Sequence, residues 1–217
     1  MFYTLLGLLV ASIILFGSFV VVSIYNYRNR FKLEYHLRSH FPYELNYHGR
    51  YKDNLYGNII YVVYFLVVGA FIVLSTTYNN GYLIFALIAG VIALICVSAF
   101  VYVPVDFLRV HLLIVAIGFI FSLAFSVSVA LASYFTYKDN NSVSMLISFI
   151  VSMINSAAYV ILILNPKLSH WADMDHETKE DGTVTQVRPK FFVLAFSEWM
   201  MMILLIVNLI SIFISKI

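Results

Sequence analysis

Six long apolar stretches dominate this sequence and leave little choice of fold. A helix that crosses a bilayer needs about 20 mostly apolar residues, and six segments are that long. They are residues 2–24, 57–76, 81–104, 108–136, 143–164 and 191–214. We expect the first to be a span rather than a cleaved signal, because a basic cluster follows it and none precedes it. The sequence therefore predicts one all-α domain over residues 1–217, a polytopic membrane helix bundle of about six transmembrane helices in a lipid bilayer.

The composition suits a bilayer better than a soluble core. Hydrophobic residues make up 62% of the chain and charged residues 11%, against about 25% charged residues in an ordinary soluble domain. A net charge of +2 without a long basic run argues against nucleic acid as a partner. Cys96 is the only cysteine, which excludes an internal disulfide and a thiolate metal cluster. The sequence has no Walker A, HExxH, CxxC or GxSxG motif, so we predict no cofactor.

The distribution of Lys and Arg orients the spans. Cytosolic loops carry an excess of these residues. Eleven of the thirteen lie in or beside the connections between spans one and two, three and four, and five and six, whereas Lys138 and Lys216 lie on the other side. Residues 25–56 and 165–190 are therefore predicted cytosolic loops, and both termini are predicted to be non-cytosolic. The outer connections are short, with a predicted tight turn at Asn79-Asn80-Gly81. We expect a multi-pass protein of the cell membrane.

The two long loops carry most of the polar side chains. Residues 25–56 are basic and rich in tyrosine, and their spacing predicts an interfacial helix that ends at Pro42. Residues 165–190 begin with the helix-stopping pair Asn165-Pro166 and are acidic. Opposite charges on one face predict that the loops dock on each other. The same loops are the expected surface for a protein partner.

Small residues recur every four positions in spans four and five. The positions are Gly118, Ser122, Ser126 and Ala130 in span four, and Ser144, Ser148, Ser152 and Ser156 in span five, with Asn155 alongside. This spacing places each set on one helix face, where small residues allow close approach and serines hydrogen-bond between helices. One interpretation is a tight helix hairpin. The other is a polar lining for a substrate or ion path, formed by Ser148, Ser152 and Asn155.

Glu198 is the only acidic residue well inside a predicted span. An unpaired carboxylate is costly in the membrane, so it must be paired, protonated or facing water. Arg109 and His111, at the start of span four, are predicted to reach a similar depth. One interpretation is an ion pair or hydrogen bond that locks span six to span four. The alternatives are a carboxylate that couples protons or cations, and a residue that merely lies at the membrane interface.

Histidines in the two loops suggest a weaker possibility, a metal site. His36 and His40 are four residues apart, which is the spacing of two ligands on one helix face. In the second loop, His170 and Asp173 would share a face with Glu177 if this stretch were helical, and His176 is adjacent. Nitrogen and oxygen ligands from both loops are suitable for a divalent ion. The alternative is a solvated or docking loop without metal.

Three functions are compatible with these features. The sequence favours a non-enzymatic membrane subunit of a transport system or larger membrane complex. A second hypothesis is an autonomous small-molecule or ion carrier that uses Glu198 and the serine-lined spans four and five. A third is a membrane-embedded, metal-dependent enzyme with a His/Asp site at the cytosolic face. The absence of a catalytic motif makes an enzyme the less favoured class.

Overall fold

The computed structural model is an all-α bundle with one small β-hairpin. It describes residues 1–46, 50–76, 82–170, 173–178 and 183–217, without the side chains of Tyr82, Ser169 and His170. The helices are α1 (Phe2–Phe31), α2 (Leu55–Thr76), α3 (Tyr82–Phe100), α4 (Leu108–Asn140), α5 (Val143–Ile163) and α6 (Val193–Ile214). Strands β1 (Asp175–Thr178) and β2 (Val184–Val187) pair antiparallel. Short 3-10 turns lie at Pro42–Asn46, Tyr51–Asn54, Val105–Phe107 and Pro166–His170.

The predicted set of six apolar helices is confirmed. All six are long and apolar enough to cross a membrane, as in a multi-pass membrane protein. The mutual packing of the helices is uneven. In α6, 67% of the most apolar 18-residue window is buried inside the protein, against 22% in α1. Helix α6 contacts each of the other five helices, so it is the central helix of the bundle.

The end of α1 differs from the prediction. The helix continues past residue 24 to Phe31, where Lys32 adopts a left-handed conformation and its N–H donates to the carbonyl of Arg28. Arg28 and Arg30 in the last turn suit the negative end of the helix dipole. The predicted interfacial helix before Pro42 is wrong, because residues 32–36 are irregular and residues 37–39 form a turn.

Helix α4 is also longer than predicted. It runs to Asn140 rather than residue 136, and Asn141 ends it with φ of 52° and an N–H that donates to the carbonyl of Tyr137. Asparagine tolerates this left-handed conformation better than most residues do. The turn predicted at Asn79-Asn80-Gly81 lies outside the described residues.

The two ends of the bundle have different characters. Phe2 and Phe213 are in ring contact, with centroids 5.3 Å apart, so both termini lie at the same end. We call this the terminal end. The opposite loop end carries residues 32–46, 50–54, 101–107, 164–170, 173–178 and 183–192. Which side of a membrane each end faces stays a prediction from the charge distribution.

A polar junction fixes α1 against the start of α2. The Asn54 side chain donates to Ser23 Oγ over 3.0 Å and accepts from the Asn26 amide over 3.1 Å. Gly57, one turn into α2, makes room for both groups. A Cβ there would lie 2.3 Å from Ser23 Oγ and 2.4 Å from Asn54 Oδ1. The junction therefore requires glycine at position 57.

We predict that Gly57→Ala destabilises the protein by about 1–3 kcal/mol, because the added methyl group must displace Ser23 or Asn54. Thermal unfolding in mild detergent measures the change. Gly7→Ala is the matched control, since no atom lies within 4 Å of a Cβ at that helical position. Equal changes in Tm for the two variants would contradict this interpretation.

Candidate functional site

A buried acid–base pair joins the central helix to α4. Glu198, in the second turn of α6, places Oε1 2.8 Å from Nε2 of His111, in the first turns of α4. Both side chains have 0% exposure. Of the two bases predicted to reach Glu198, the structure brings His111 to it. Arg109 is exposed and has no ion pair among the described residues.

The second nitrogen of His111 fixes where the protons are. His111 Nδ1 lies 2.6 Å from the carbonyl oxygen of Val103. Because a carbonyl only accepts, Nδ1 must carry a proton. A single further proton then lies between Nε2 and Glu198 Oε1. The pair is either a neutral imidazole with a carboxylic acid or an imidazolium with a carboxylate. Glu198 Oε2 is buried without a hydrogen-bond partner among the described residues, so it can accept another proton.

An aromatic lid, formed by residues 35–43, covers this pair at the loop end. The rings of Phe41 and Tyr43 lie 6.1 and 5.7 Å from the His111 ring, centroid to centroid. The Tyr35 hydroxyl donates to the Phe41 carbonyl over 2.8 Å, and burial raises the pKa of Tyr35 well above its ordinary value. The indole of Trp199 donates to the His40 carbonyl over 3.0 Å. These contacts separate the pair from the surroundings of the loop end.

The segment before α6 holds the lid in place. Arg188 Nη1 donates to both carboxylate oxygens of Glu44, over 3.0 and 2.7 Å, and to the Ser39 carbonyl over 3.2 Å. The N–H of Phe192 donates to the Arg38 carbonyl over 2.8 Å. Burial lowers the pKa of Arg188, but Glu44 outweighs this effect, and the net pKa is raised. The two loops do dock, although here the acid comes from the basic loop and the base from the acidic loop.

Serine and asparagine side chains join α4, α5 and α6 in the centre of the bundle. Asn155 Nδ2 donates to Asn208 Oδ1 over 2.7 Å and to the Leu204 carbonyl over 3.1 Å. Ser126 Oγ donates to the Ser152 carbonyl over 3.0 Å. All these side chains are buried. The stripe of span five therefore faces both α4 and the central helix.

A cluster of four serine hydroxyls lies nearer the terminal end. Ser148 and Ser211 each place Oγ 2.9 Å from the other's carbonyl oxygen. The Ser152 and Ser211 hydroxyls are 2.5 Å apart, and those of Ser133 and Ser148 are 2.8 Å apart. Ser148 and Ser152, proposed from the sequence to line a path, thus bind other hydroxyl groups in a closed interface.

A cavity of about 450 Å³ opens beside this cluster at the terminal end. Its lining residues are Met1, Leu83, Val129, Ala132, Ser133, Thr136, Asn140, Met145, Ser215 and Lys216. Ser133 is shared between the cavity wall and the serine cluster. Burial lowers the pKa of Lys216. Through Ser133, the serine cluster is connected to the cavity and so to the surface at the terminal end.

Two more buried polar side chains lie between Asn155 and the acid–base pair, although no hydrogen bond among the described residues joins them to Glu198 or His111. The Tyr159 hydroxyl lies 3.5 Å from the Met201 carbonyl, and Ser122 is buried one helical turn before Ser126. We call the whole series, from the cavity to Glu198, the polar column. Four buried atoms along it lack a hydrogen-bond partner among the described residues. They are Asn155 Oδ1, Asn208 Nδ2, Ser197 Oγ and Glu198 Oε2. Orphan polar atoms in a core usually bind water.

The histidines proposed as metal ligands are placed differently. His36 and His40 lie on the irregular segment and turn after α1, not on one helix, and His40 Nδ1 accepts the His36 N–H over 3.2 Å. Asp173 and His176 are exposed, and His176 lies on β1, so residues 170–177 are not one helix. The side chain of His170 lies outside the described residues. Within the described part of the chain, no three His, Cys, Asp or Glu side chains group around a metal position.

Two parts of the site, Ser133 and the lid, are not predicted from the sequence. Ser133 continues the α4 stripe by one heptad from Ser126, a spacing that offers a usable signal. The lid has a weaker signal, the aromatic residues on either side of Pro42. Neither reveals that residues 35–43 cover Glu198.

We predict that Ser148→Ala destabilises the protein by about 1–2 kcal/mol, because it removes contacts with both Ser133 and Ser211. Thermal unfolding in detergent measures it. Ser144→Ala, one turn away, is the control, since the side-chain hydrogen bond of Ser144 among the described residues is to the neighbouring Ser142 hydroxyl. Indistinguishable Tm values for the two variants would show that the cluster contributes nothing to packing.

We predict that Glu44→Gln loosens the lid and exposes Trp199, whose indole is 2% exposed and is bonded to the lid. In a Trp171→Phe background, quenching of Trp199 fluorescence by acrylamide measures this exposure. The quenching constant should rise severalfold. Glu34→Gln, which changes an exposed acid that contacts only His36, should leave it unchanged. No rise in Glu44→Gln would show that the ion pair does not hold the lid.

Comparisons with known proteins give no relative from which a function follows. No family model matches the chain. No curated protein and no solved structure matches it either. The function is therefore argued from the geometry of the acid–base pair and the polar column.

Proposed function

We propose that the chain is a multi-pass carrier of the cell membrane that moves protons through the Glu198–His111 pair. The observation that supports this most is the position of the pair. The pair is fully buried beneath the lid at the loop end, and the polar column runs toward it from the terminal cavity. Of the three functions compatible with the sequence, an ion carrier best explains why the buried pair, the polar column and the terminal cavity occur together.

The cost of burial argues for a functional acid. An ionisable side chain inside a membrane helix is expensive and is a functional-site hypothesis by default. If the only purpose were to join α4 to α6, well-packed apolar residues would serve as well or better. Serine hydroxyls already join the other helices at lower cost. We infer that Glu198 is present for its proton.

The column supplies the chemistry for a proton path. A serine hydroxyl both donates and accepts a hydrogen bond, so it can pass a proton along a chain. An amide cannot do so readily, and a water molecule is needed beside Asn155 and Asn208. Each of these residues has an unpartnered polar atom, Asn155 Oδ1 and Asn208 Nδ2, which suits such a water.

The proposed cycle follows from the proton count at the pair. In the resting state one proton lies between His111 Nε2 and Glu198 Oε1. A proton arriving through the column binds Glu198 Oε2, which gives a carboxylic acid beside an imidazolium. This state carries one net positive charge in an apolar core, and it is relieved when the lid opens and a proton leaves at the loop end. The lid, closed by Glu44 and Arg188, is the proposed gate.

The test measures proton flux into liposomes that contain the purified chain. A potassium gradient with valinomycin sets an inside-negative potential, and an enclosed pH dye reports acidification. We expect flux above that of empty liposomes. Glu198→Gln should abolish most of it, since the amide preserves size and hydrogen bonding but binds no proton at neutral pH.

The control for this variant is Glu34→Gln, which removes an exposed acid beyond the end of α1 and outside the polar column. Infrared difference spectra provide a second measurement. When the pH is lowered only to about 6, where ordinary carboxyl groups stay ionised, a carboxylic acid C=O band should appear in the wild type and in Glu34→Gln, and be absent in Glu198→Gln. Equal flux in wild type and Glu198→Gln, or no flux in wild type, would contradict the proposal.

A second candidate keeps the chain as a non-enzymatic subunit of a transport system or larger membrane complex. The supporting observation is the β1–β2 hairpin, an exposed two-stranded element in which Val184 is 62% exposed. A protein partner at the loop end would cover it. The liposome experiment separates the two candidates, because only the carrier works when the chain is reconstituted alone.

A further inference from the structure

A second cavity, unconnected with proton movement, lies at the loop end. This groove has a volume of about 930 Å³ and is open to the surroundings. It lies between the last turns of α1, the turn after it and the segment before α6. The residues that line it are Ile24, Tyr35, His36, Leu37, Arg38, Ser39, His40, Arg188, Pro189 and Lys190. We call it the basic groove.

Two uncompensated cations give the basic groove its charge. Arg38 and Lys190 are exposed, and within the described part of the chain neither has an acidic partner. The charge of Arg188 is balanced by Glu44. Burial lowers the pKa of His40, so its ring is neutral at pH 7. Glu34 is the nearby acid, and it contacts His36 over 3.2 Å. The groove therefore presents two exposed positive side chains to a ligand.

Part of the lining of the basic groove is apolar. Ile24 belongs to the part of α1 that is predicted to span the membrane, and Leu37 is 39% exposed beside the groove. Pro189 adds to this apolar part on the α6 side. The groove therefore combines a cationic rim with an apolar side at the end of a membrane-spanning helix. A small free anion would need only the rim.

We propose that the basic groove binds an anionic phospholipid, with the headgroup phosphate between Arg38 and Lys190 and an acyl chain along Ile24. Arginine donates to phosphate through a planar fork and lysine through a point charge. Basic pockets between membrane helices commonly hold anionic headgroups. A zwitterionic lipid carries its own cation, and it would gain less from the two side chains.

A bound lipid would also strengthen the lid. The Arg38 carbonyl accepts the N–H of Phe192, and Arg188, which also lines the groove, holds Glu44. A phosphate shared by residues 38 and 190 ties the same two segments together from the outside. Binding is therefore expected to raise Tm as well as to occupy the groove.

The test uses the full chain in a nonionic detergent and measures lipid binding by native mass spectrometry. Phosphatidylglycerol and phosphatidylcholine with the same acyl chains are the two probes. We expect phosphatidylglycerol to bind about thirtyfold more tightly, and Arg38→Gln with Lys190→Gln to remove that preference. Lys52→Gln with Lys167→Gln, an equal loss of charge at the loop end outside the groove, should retain it.

Equal affinities for the two lipids, or an unchanged preference in the Arg38→Gln/Lys190→Gln variant, would overturn the proposal. Displacement of phosphatidylglycerol by inorganic phosphate alone would also overturn it, because the groove would then recognise a free anion. Lys190→Gln alone is the second variant should the double one fail to fold. It should lower phosphatidylglycerol affinity about fivefold, which is the contribution of one cation to binding at an anionic membrane surface.

Discussion

The hydrogen bond between Glu198 and His111 is the contact on which the rest of the architecture depends. A carboxyl group at 0% exposure among apolar helices needs a partner. His111 meets that need only because Val103 orients its ring from the other side. The lid of residues 35–43 covers this same pair. Helix α6, which carries Glu198, is also the helix that contacts all the others. Helices α4 and α6 are thereby fixed in one rotation about their axes.

Packing in the rest of the bundle follows from the lack of a hydrophobic driving force between helices in lipid. Helix association there relies on close contact and hydrogen bonds. The serine cluster around Ser211 and the Asn155–Asn208 bond supply these for α4, α5 and α6. Helix α1 is much less buried, and the junction of Ser23 with Asn54 holds its loop-end half. The chain thus places its polar groups where helices meet and leaves the outer surface apolar.

The sequence predicts what depends on local pattern and fails where distant segments meet. Apolar length alone predicts the six helices, and a period of four predicts the face of α5 that carries Ser148 and Ser152. That Ser211 lies opposite them depends on the rotation of α6, which no local pattern specifies. The lid was missed for the same reason. Its order comes from Arg188, 144 residues from Glu44, and the segment reads as an interfacial helix when taken alone.

The two ends of the polar column differ in how hard they are to open, and this bears on the proposed gate. The serine cluster consists of buried, mutually bonded hydroxyls whose separation would leave several unpaired in an apolar core. The lid is held by the Arg188–Glu44 pair, whose side chains are 38% and 13% exposed, and by the hydrogen bonds of Trp199 and Phe192 to the carbonyls of His40 and Arg38. Water can replace its partners at the loop end. Local opening there costs less than separating α5 from α6, so the lid is the physically cheaper route by which a proton on Glu198 could leave.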